Sequence, residues 1–375
     1  MPEPSINHIL RETFPKGSKE DWLRSAKKEL NEKNSIEDLT WTIEGLSFSP
    51  YYDKSDVTTL NYLKDYQNVL MHSTREQFQS WENVPKISVS DPIAANDIAL
   101  KQLNSGADGI LFDVCDVETI NLSLLLEKID WHYCSVSFIA ADTKIATKIL
   151  AYLREKNYAP SQLKGSIFWK RPLTDTTLHE GYLASLKKYH SFGIMVHPSS
   201  PVREISEALI QAVLYMDRLT DAKADKENAF HSISVAIYCE QNFFITIAKL
   251  KALRLLWYQL ARSFEIENYI PRDFHIHAFS EKWSTEKFDP HGNMIKNTAH
   301  ALAAVCGGCS SLTLSPEDEN NELMNRVAIN VSNILKEESH IDKVVDPLAG
   351  SYAIENMVHQ LAKVAWHDFQ NKMKS

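Results

Sequence analysis

Two apolar rhythms alternate along most of this chain. After Pro85, short runs of β-branched and aromatic residues alternate with longer stretches in which apolar positions recur every three or four residues, the periods of strands and of helices. Strands are predicted at 86–89, 109–114, 135–140, 165–169, 193–196, 232–238, 273–277 and 311–314. Between them AANDIALKQLNSG, LSLLLEKI, KIATKILAYLREK, EISEALIQAVLYMDRL and FFITIAKLKALRLLWYQLARSF carry the helical period. A further helix, NELMNRVAINVSNILKEES, follows the last strand, and an amphipathic tail with Ile354, Val358, Leu361 and Ala365 on one face closes the chain. Eight such units without a second fold signature predict a (β/α)8 barrel rather than an open doubly wound sheet.

Before Pro85 the rhythm differs. SKEDWLRSAKKELN opens with Ser-x-x-Asp and places Trp22, Ala26 and Leu30 at four-residue spacing, which predicts a capped helix, and LTWTIEGLSFSP reads as strand. Residues 1–85 are expected to form an arm outside the barrel and 86–375 the barrel with its closing helix. The aromatic residues Trp22, Trp41, Tyr51 and Tyr52 need a surface to cover, so the arm is expected to contact a second subunit.

With 375 residues, 44% of them hydrophobic, the chain can bury a large core. Its net charge of -9, with no Lys/Arg cluster interleaved with aromatics, argues against a nucleic-acid partner. No apolar run is long enough for a membrane span and MPEPSINHILRETF lacks the pattern of a secretory signal, so a cytoplasmic protein is expected. Five cysteines in a chain this long do not suggest a disulfide scaffold, and Cys306-Gly-Gly-Cys309 falls at a helix-to-strand turn where packing is the expected role. His275 and His277 could share a metal, but no third ligand stands at a recognisable spacing, and no metal is expected. Dinucleotide, Walker, Gly-x-Ser-x-Gly and His-Glu-x-x-His signatures are absent.

The stretch from His275 to Pro316 carries Trp283 and Asp289-Pro290 in a loop, Met294, Ala301, Leu302 and Val305 on a helix, a Gly307-Gly308 turn and a short strand. It resembles the methylmalonyl-CoA mutase family, in which a Trp, an Asp-Pro pair and a Gly-Gly turn occur at the same spacing. FPKGSKEDWLRSAKKELN with TIEGLSFSPYY, the AAND…GADGILFD pair and DPLAGSYAIENM extend the resemblance over most of the chain. The closest likeness is to the small subunit of the heterodimeric enzymes, where a sequence like Ile276-His277-Ala278 occurs.

The resemblance implies a barrel that threads an acyl-CoA along its axis, and an adenosylcobalamin domain that caps it through an Asp-x-His-x-x-Gly motif. The triplets Asp130-Trp131-His132, Asp273-Phe274-His275 and Asp289-Pro290-His291 all lack the required Gly. The Arg-Gln-Tyr triplet that follows a Trp in active chains is missing after Trp81, where Glu82-Asn83-Val84-Pro85 stands. Phe168 replaces a Gln, Met195 a His, His275 an Arg and Phe279 a Gln, and His197 is two residues, about 7 Å, from the position of that His.

A non-catalytic small subunit is therefore expected. It would pair with a large subunit that carries the adenosylcobalamin, have no catalytic residues or bound cofactor of its own, and possess at most residual acyl-CoA binding. The alternative is a catalytic barrel that works with a separate cobalamin-binding polypeptide. A stand-alone barrel acting on another acyl-CoA has only fold analogy behind it.

Overall fold

A computed structural model describes residues 17–30, 35–72, 80–114, 118, 120–159, 162–173, 189–267, 269–281 and 292–374. The first described element is helix α1 (Lys19–Glu29), and Ser18 and Asp21 close the capping box that its Ser-x-x-Asp start predicts. The next apolar run folds as a hairpin, β1 (Trp41–Ile43) against β2 (Leu46–Phe48). Its turn, Glu44-Gly45, has both residues at positive φ, 50° and 81°, matching the twist of paired strands. Helix α2 (Asn61–His72) completes the described part of this region.

The barrel begins earlier than residue 86. A segment comprising β3 (Glu82–Asn83) and β4 (Lys86–Val89) spans the Val84-Pro85 step. Pro85 has no N–H to give, so the segment divides there. Its first half pairs with β11 (Ser311–Thr313) and its second with β5 (Gly109–Val114). The Val84 N–H donates to the Leu312 carbonyl at 2.9 Å and the Pro85 carbonyl accepts from Leu111 N–H at 3.0 Å, so one segment joins both sides and closes the ring. Between them run β6 (Ser135–Ala140), β7 (Gly165–Trp169), β8 (Tyr189–Met195), β9 (Ile233–Tyr238) and β10 (Ile276–Phe279), every neighbour parallel. The fold is the eight-unit α/β barrel that the rhythm predicts.

Two strands lie elsewhere than their sequence pattern places them. β8 starts at Tyr189 rather than 193, because its opening YHS reads as polar, although Tyr189 packs edge-on against Trp131 in the outer core and His190 bonds the His231 carbonyl. β10 starts at Ile276 rather than 273: Pro271–Asp273 forms a 3-10 turn, and Phe274 stacks flat on Trp257 at 3.9 Å. That contact takes the apolar residue that had made the segment look like strand.

Helices α3 (Pro92–Asn104), α4 (Leu122–Leu125), α5 (Lys144–Lys156), α6 (Pro201–Asp221), α7 (Lys226–His231), α8 (Phe243–Ser263), α9 (Gly292–Cys306), α10 (Glu322–Glu337) and α11 (Tyr352–Lys374) follow in chain order. They cover the outer face of the sheet, where the main core lies. No described helix is long and apolar enough to cross a membrane.

The arm rests on the chain itself. Phe48 is 1% exposed and belongs, with Leu46, to the main core. Tyr62 stacks on His359 of α11, Gln67 donates to Glu355 at 3.1 Å, and Asn356 donates to the Asp56 carbonyl. Trp22 stacks on Tyr51 at 5.0 Å and Trp41 lies on Phe48 at 4.6 Å, so aromatics expected to seek another subunit cover one another.

Candidate functional site in the barrel bore

Side chains alternate across each strand, so every second residue of the sheet enters the bore. Ser137, Ser166, Ser234, His277, Ser311 and Thr313 provide buried polar groups there. Val84, Leu111, Ile139, Phe168, Ala236 and Phe279 pack as a separate apolar cluster, with Met195 and Tyr238 against it. Phe168 lies 5.3 Å from the His277 ring, Phe279 lies 4.5 Å from it, and Tyr238 stacks on Phe279 at 5.1 Å. Gly193 faces Phe168 across β8; a methyl group there would come within 2.6 Å of the Phe168 ring, so the glycine leaves room for it.

Three of the four positions singled out in the sequence thus meet in one place. Phe168 and Phe279 are fully buried and Met195 adjoins them, which fills the bore with rings and a thioether where the family resemblance leads one to expect amide and imidazole groups. His275, the fourth, lies just before β10 at the N-terminal mouth. His197 is exposed beyond the end of β8. Trp283, Asp289, Pro290 and His291 lie outside the described residues.

The polar groups form a directed relay. The Thr313 hydroxyl donates to the Val84 carbonyl, so its oxygen accepts from His277 Nε2–H at 2.9 Å. His277 Nδ1 is then an acceptor for the Ser311 hydroxyl at 2.7 Å, and Ser311 Oγ accepts from His275 Nε2–H at 2.9 Å. The relay ends at a backbone carbonyl, which can pass no proton onward. Burial lowers the pKa of His277 to about 3 and holds it neutral. With both nitrogens committed to hydroxyls, it shares no ligand with His275.

His190, which the pattern does not single out because it places the start of that strand four residues late, stands beside His275 with ring centroids 4.8 Å apart. Its Nδ1–H donates to the His231 carbonyl at 2.9 Å, and burial lowers its pKa to about 4. His275 is lowered further, first by burial and then by His190, His277 and Arg254. The serines of the bore had no sequence signal, since isolated Ser residues in strands carry no chemical pattern.

Other candidates resolve into structure. Burial pushes the Cys306 thiol up to about 11 and Cys309 higher still, so neither favours thiolate. A cavity of about 430 Å³ lies beyond the N-terminal ends of the strands, between α2 and the Gly307-Gly308 turn. Arg254 at its edge gives its guanidinium to the carbonyls of Pro271, Phe274 and Gly308. His132 bonds Asp130 at 3.0 Å and packs on Tyr158 outside the bore.

The family model described as methylmalonyl-CoA mutase matches residues 190–374. The methylmalonyl-CoA mutase small subunit of Porphyromonas gingivalis is 28% identical, the match covering 95% of this chain and 63% of that protein. In Streptomyces virginiae the small subunit is 24% identical over 99% of the chain and the large subunit 23% over 95%, covering 65% and 56% of those proteins. The chain spans less than two-thirds of the length of these relatives. These matches, with segments in the same order along the barrel, make the chain similar to proteins of the methylmalonyl-CoA mutase family over most of its length.

Proposed function

We propose that this chain is the non-catalytic small subunit of a heterodimeric, adenosylcobalamin-dependent methylmalonyl-CoA mutase, and that its large partner carries the isomerisation of methylmalonyl-CoA and succinyl-CoA. One observation supports the reading above others: Phe168, Met195 and Phe279 meet inside the bore with Tyr238. Stabilising charge that develops on a thioester requires donors fixed in place before the reaction, and the rings of Phe168 and Phe279 and the thioether of Met195 provide none at the positions where the resemblance implies amide and imidazole groups. His277 is held neutral with both nitrogens engaged, so it is not free to donate to a substrate.

Identity to relatives does not choose between the subunits, since the two Streptomyces chains are 24% and 23% identical to this one. The apolar cluster in the bore supports the small-subunit reading, because a catalytic barrel of this kind needs an open axis for the acyl-CoA. Adenosylcobalamin does not fit the described residues. Of the Asp-x-His triplets, the one at Asp130 bonds its own His132, and the one at Asp273 lies at the N-terminal end of the barrel, away from the C-terminal face such a cofactor caps. On this reading the cofactor belongs to the large partner and the complex works in the cytoplasm.

The test is co-purification with a large subunit, followed by mutase assay of each chain alone and of the two together. Activity is expected only where the large subunit is present. Conversion by this chain with a free cobalamin-binding domain and no large subunit would replace the reading with that of a catalytic barrel served by a separate cobalamin polypeptide.

A further inference from the structure

We infer that His190 and His275 form a two-imidazole site for a divalent transition-metal ion at the N-terminal mouth of the bore. The hydrogen bonds already described fix the tautomers. His190 uses Nδ1–H on the His231 carbonyl, leaving Nε2 as a lone pair, and the Ser311–His277–Thr313 relay requires Nε2–H on His275, leaving its Nδ1 as a lone pair. Among the described residues neither lone pair has a hydrogen-bond partner, and both side chains are partly rather than fully buried. The ring centroids are 4.8 Å apart with planes 34° from parallel. Two imidazoles bound to one ion at metal–nitrogen distances of about 2.0–2.1 Å bring their centroids to roughly 5 Å.

The surroundings select the ion. Both rings are neutral at ordinary pH, the form that ligates, and each has its other N–H held by an oxygen, as metal-bound histidines commonly do. The positive charge of Arg254 near His275 weakens the binding of any cation without choosing between them, and no third His, Cys, Asp or Glu joins the pair among the described residues. Ions that depend on carboxylate oxygens are therefore disfavoured, whereas Zn(II), Cu(II) and Ni(II), which form strong imidazole bonds, fit. Water would fill the remaining positions. The site is independent of the proposed subunit role, and the isolated chain suffices to test it.

Cu(II) added to the isolated chain is expected to give one site whose electron spin resonance carries couplings from two imidazole nitrogens. His190→Ala and His275→Ala should each remove one set of couplings and weaken binding at least about tenfold. Couplings unchanged in both variants would overturn the assignment. Should either variant fail to fold, nitrogen NMR of the wild-type chain decides. Zn(II) should shift His190 Nε2 and His275 Nδ1 while leaving His277 unmoved, and a wild-type spectrum in which His190 carries its proton on Nε2 would exclude the site.

Discussion

Thr313 is a small residue with two obligations. Its hydroxyl donates to the Val84 carbonyl and accepts from His277, so it links the closing segment of the barrel to the centre of the bore. Thr313→Val keeps the shape and removes both bonds, leaving a buried carbonyl and a buried N–H unpaired. Urea denaturation should show a loss of about 1–3 kcal/mol for each group so stranded. The pH dependence of the same network follows from His277, whose pKa falls from 6.5 to about 3 on folding. Between those values the unfolded chain binds the extra proton, so the neutral folded form loses stability as pH falls below roughly 6.5. Glu82, Glu204 and Glu355, raised by burial, act in the opposite sense. The wild type is therefore best compared with His277→Gln: its advantage should shrink by about 2 kcal/mol between pH 7 and pH 5. A gap that stays constant with pH would mean that His277 is not the group that titrates.

At the scale of elements, the ends of β8 and β9 are tied by an ion cluster that sequence periodicity gives no hint of. Lys249, fully buried on α8, donates to Glu204 of α6 at 2.5 Å, to Glu240, and to the Tyr238 carbonyl at 2.7 Å. A lysine in a helix predicted from apolar spacing reads as solvent-facing; here the interhelical carboxylate makes burial tolerable. Lys249→Met strands two carboxylates and should lower stability by about 3–5 kcal/mol, with partial recovery when Glu204→Gln is added. No recovery would argue that packing, rather than charge, sets the loss. Four strands, 86–89, 109–114, 135–140 and 165–169, are legible to the residue because each is a short run rich in apolar and β-branched residues set off from the helical stretches around it. β8 and β10 are not, since the polar opening of β8 resembles loop, and Phe274 serves a tryptophan rather than a sheet.

For the molecule as a whole, the sequence revealed the barrel and the replaced family positions, but not that Phe168, Phe279 and Met195 would converge, which depends on strand register. It also suggested an arm free to wrap a neighbour. The hairpin instead inserts Leu46 and Phe48 into the main core, so removing residues 1–60 would damage the barrel itself as well as any partner surface. An interface experiment is better made with substitutions at exposed residues than with that truncation.

The segment that closes the ring has a consequence in time. Val84 finds its partner in Leu312, more than two hundred positions later in the sequence, and α2 rests on a helix made later still. A ribosome must therefore release the chain past Leu312 before the first barrel strand has both its neighbours, and until then its edge stays open to wrong pairings. Refolding from denaturant should be slow, with the fluorescence of Trp81, which donates to Ser332 beside that seam, recovering in the last phase. Recovery in the earliest phase would mean that the seam forms before the ring does. The seam is where newly made copies of this protein are most exposed to aggregation, and where a chaperone would have most to protect.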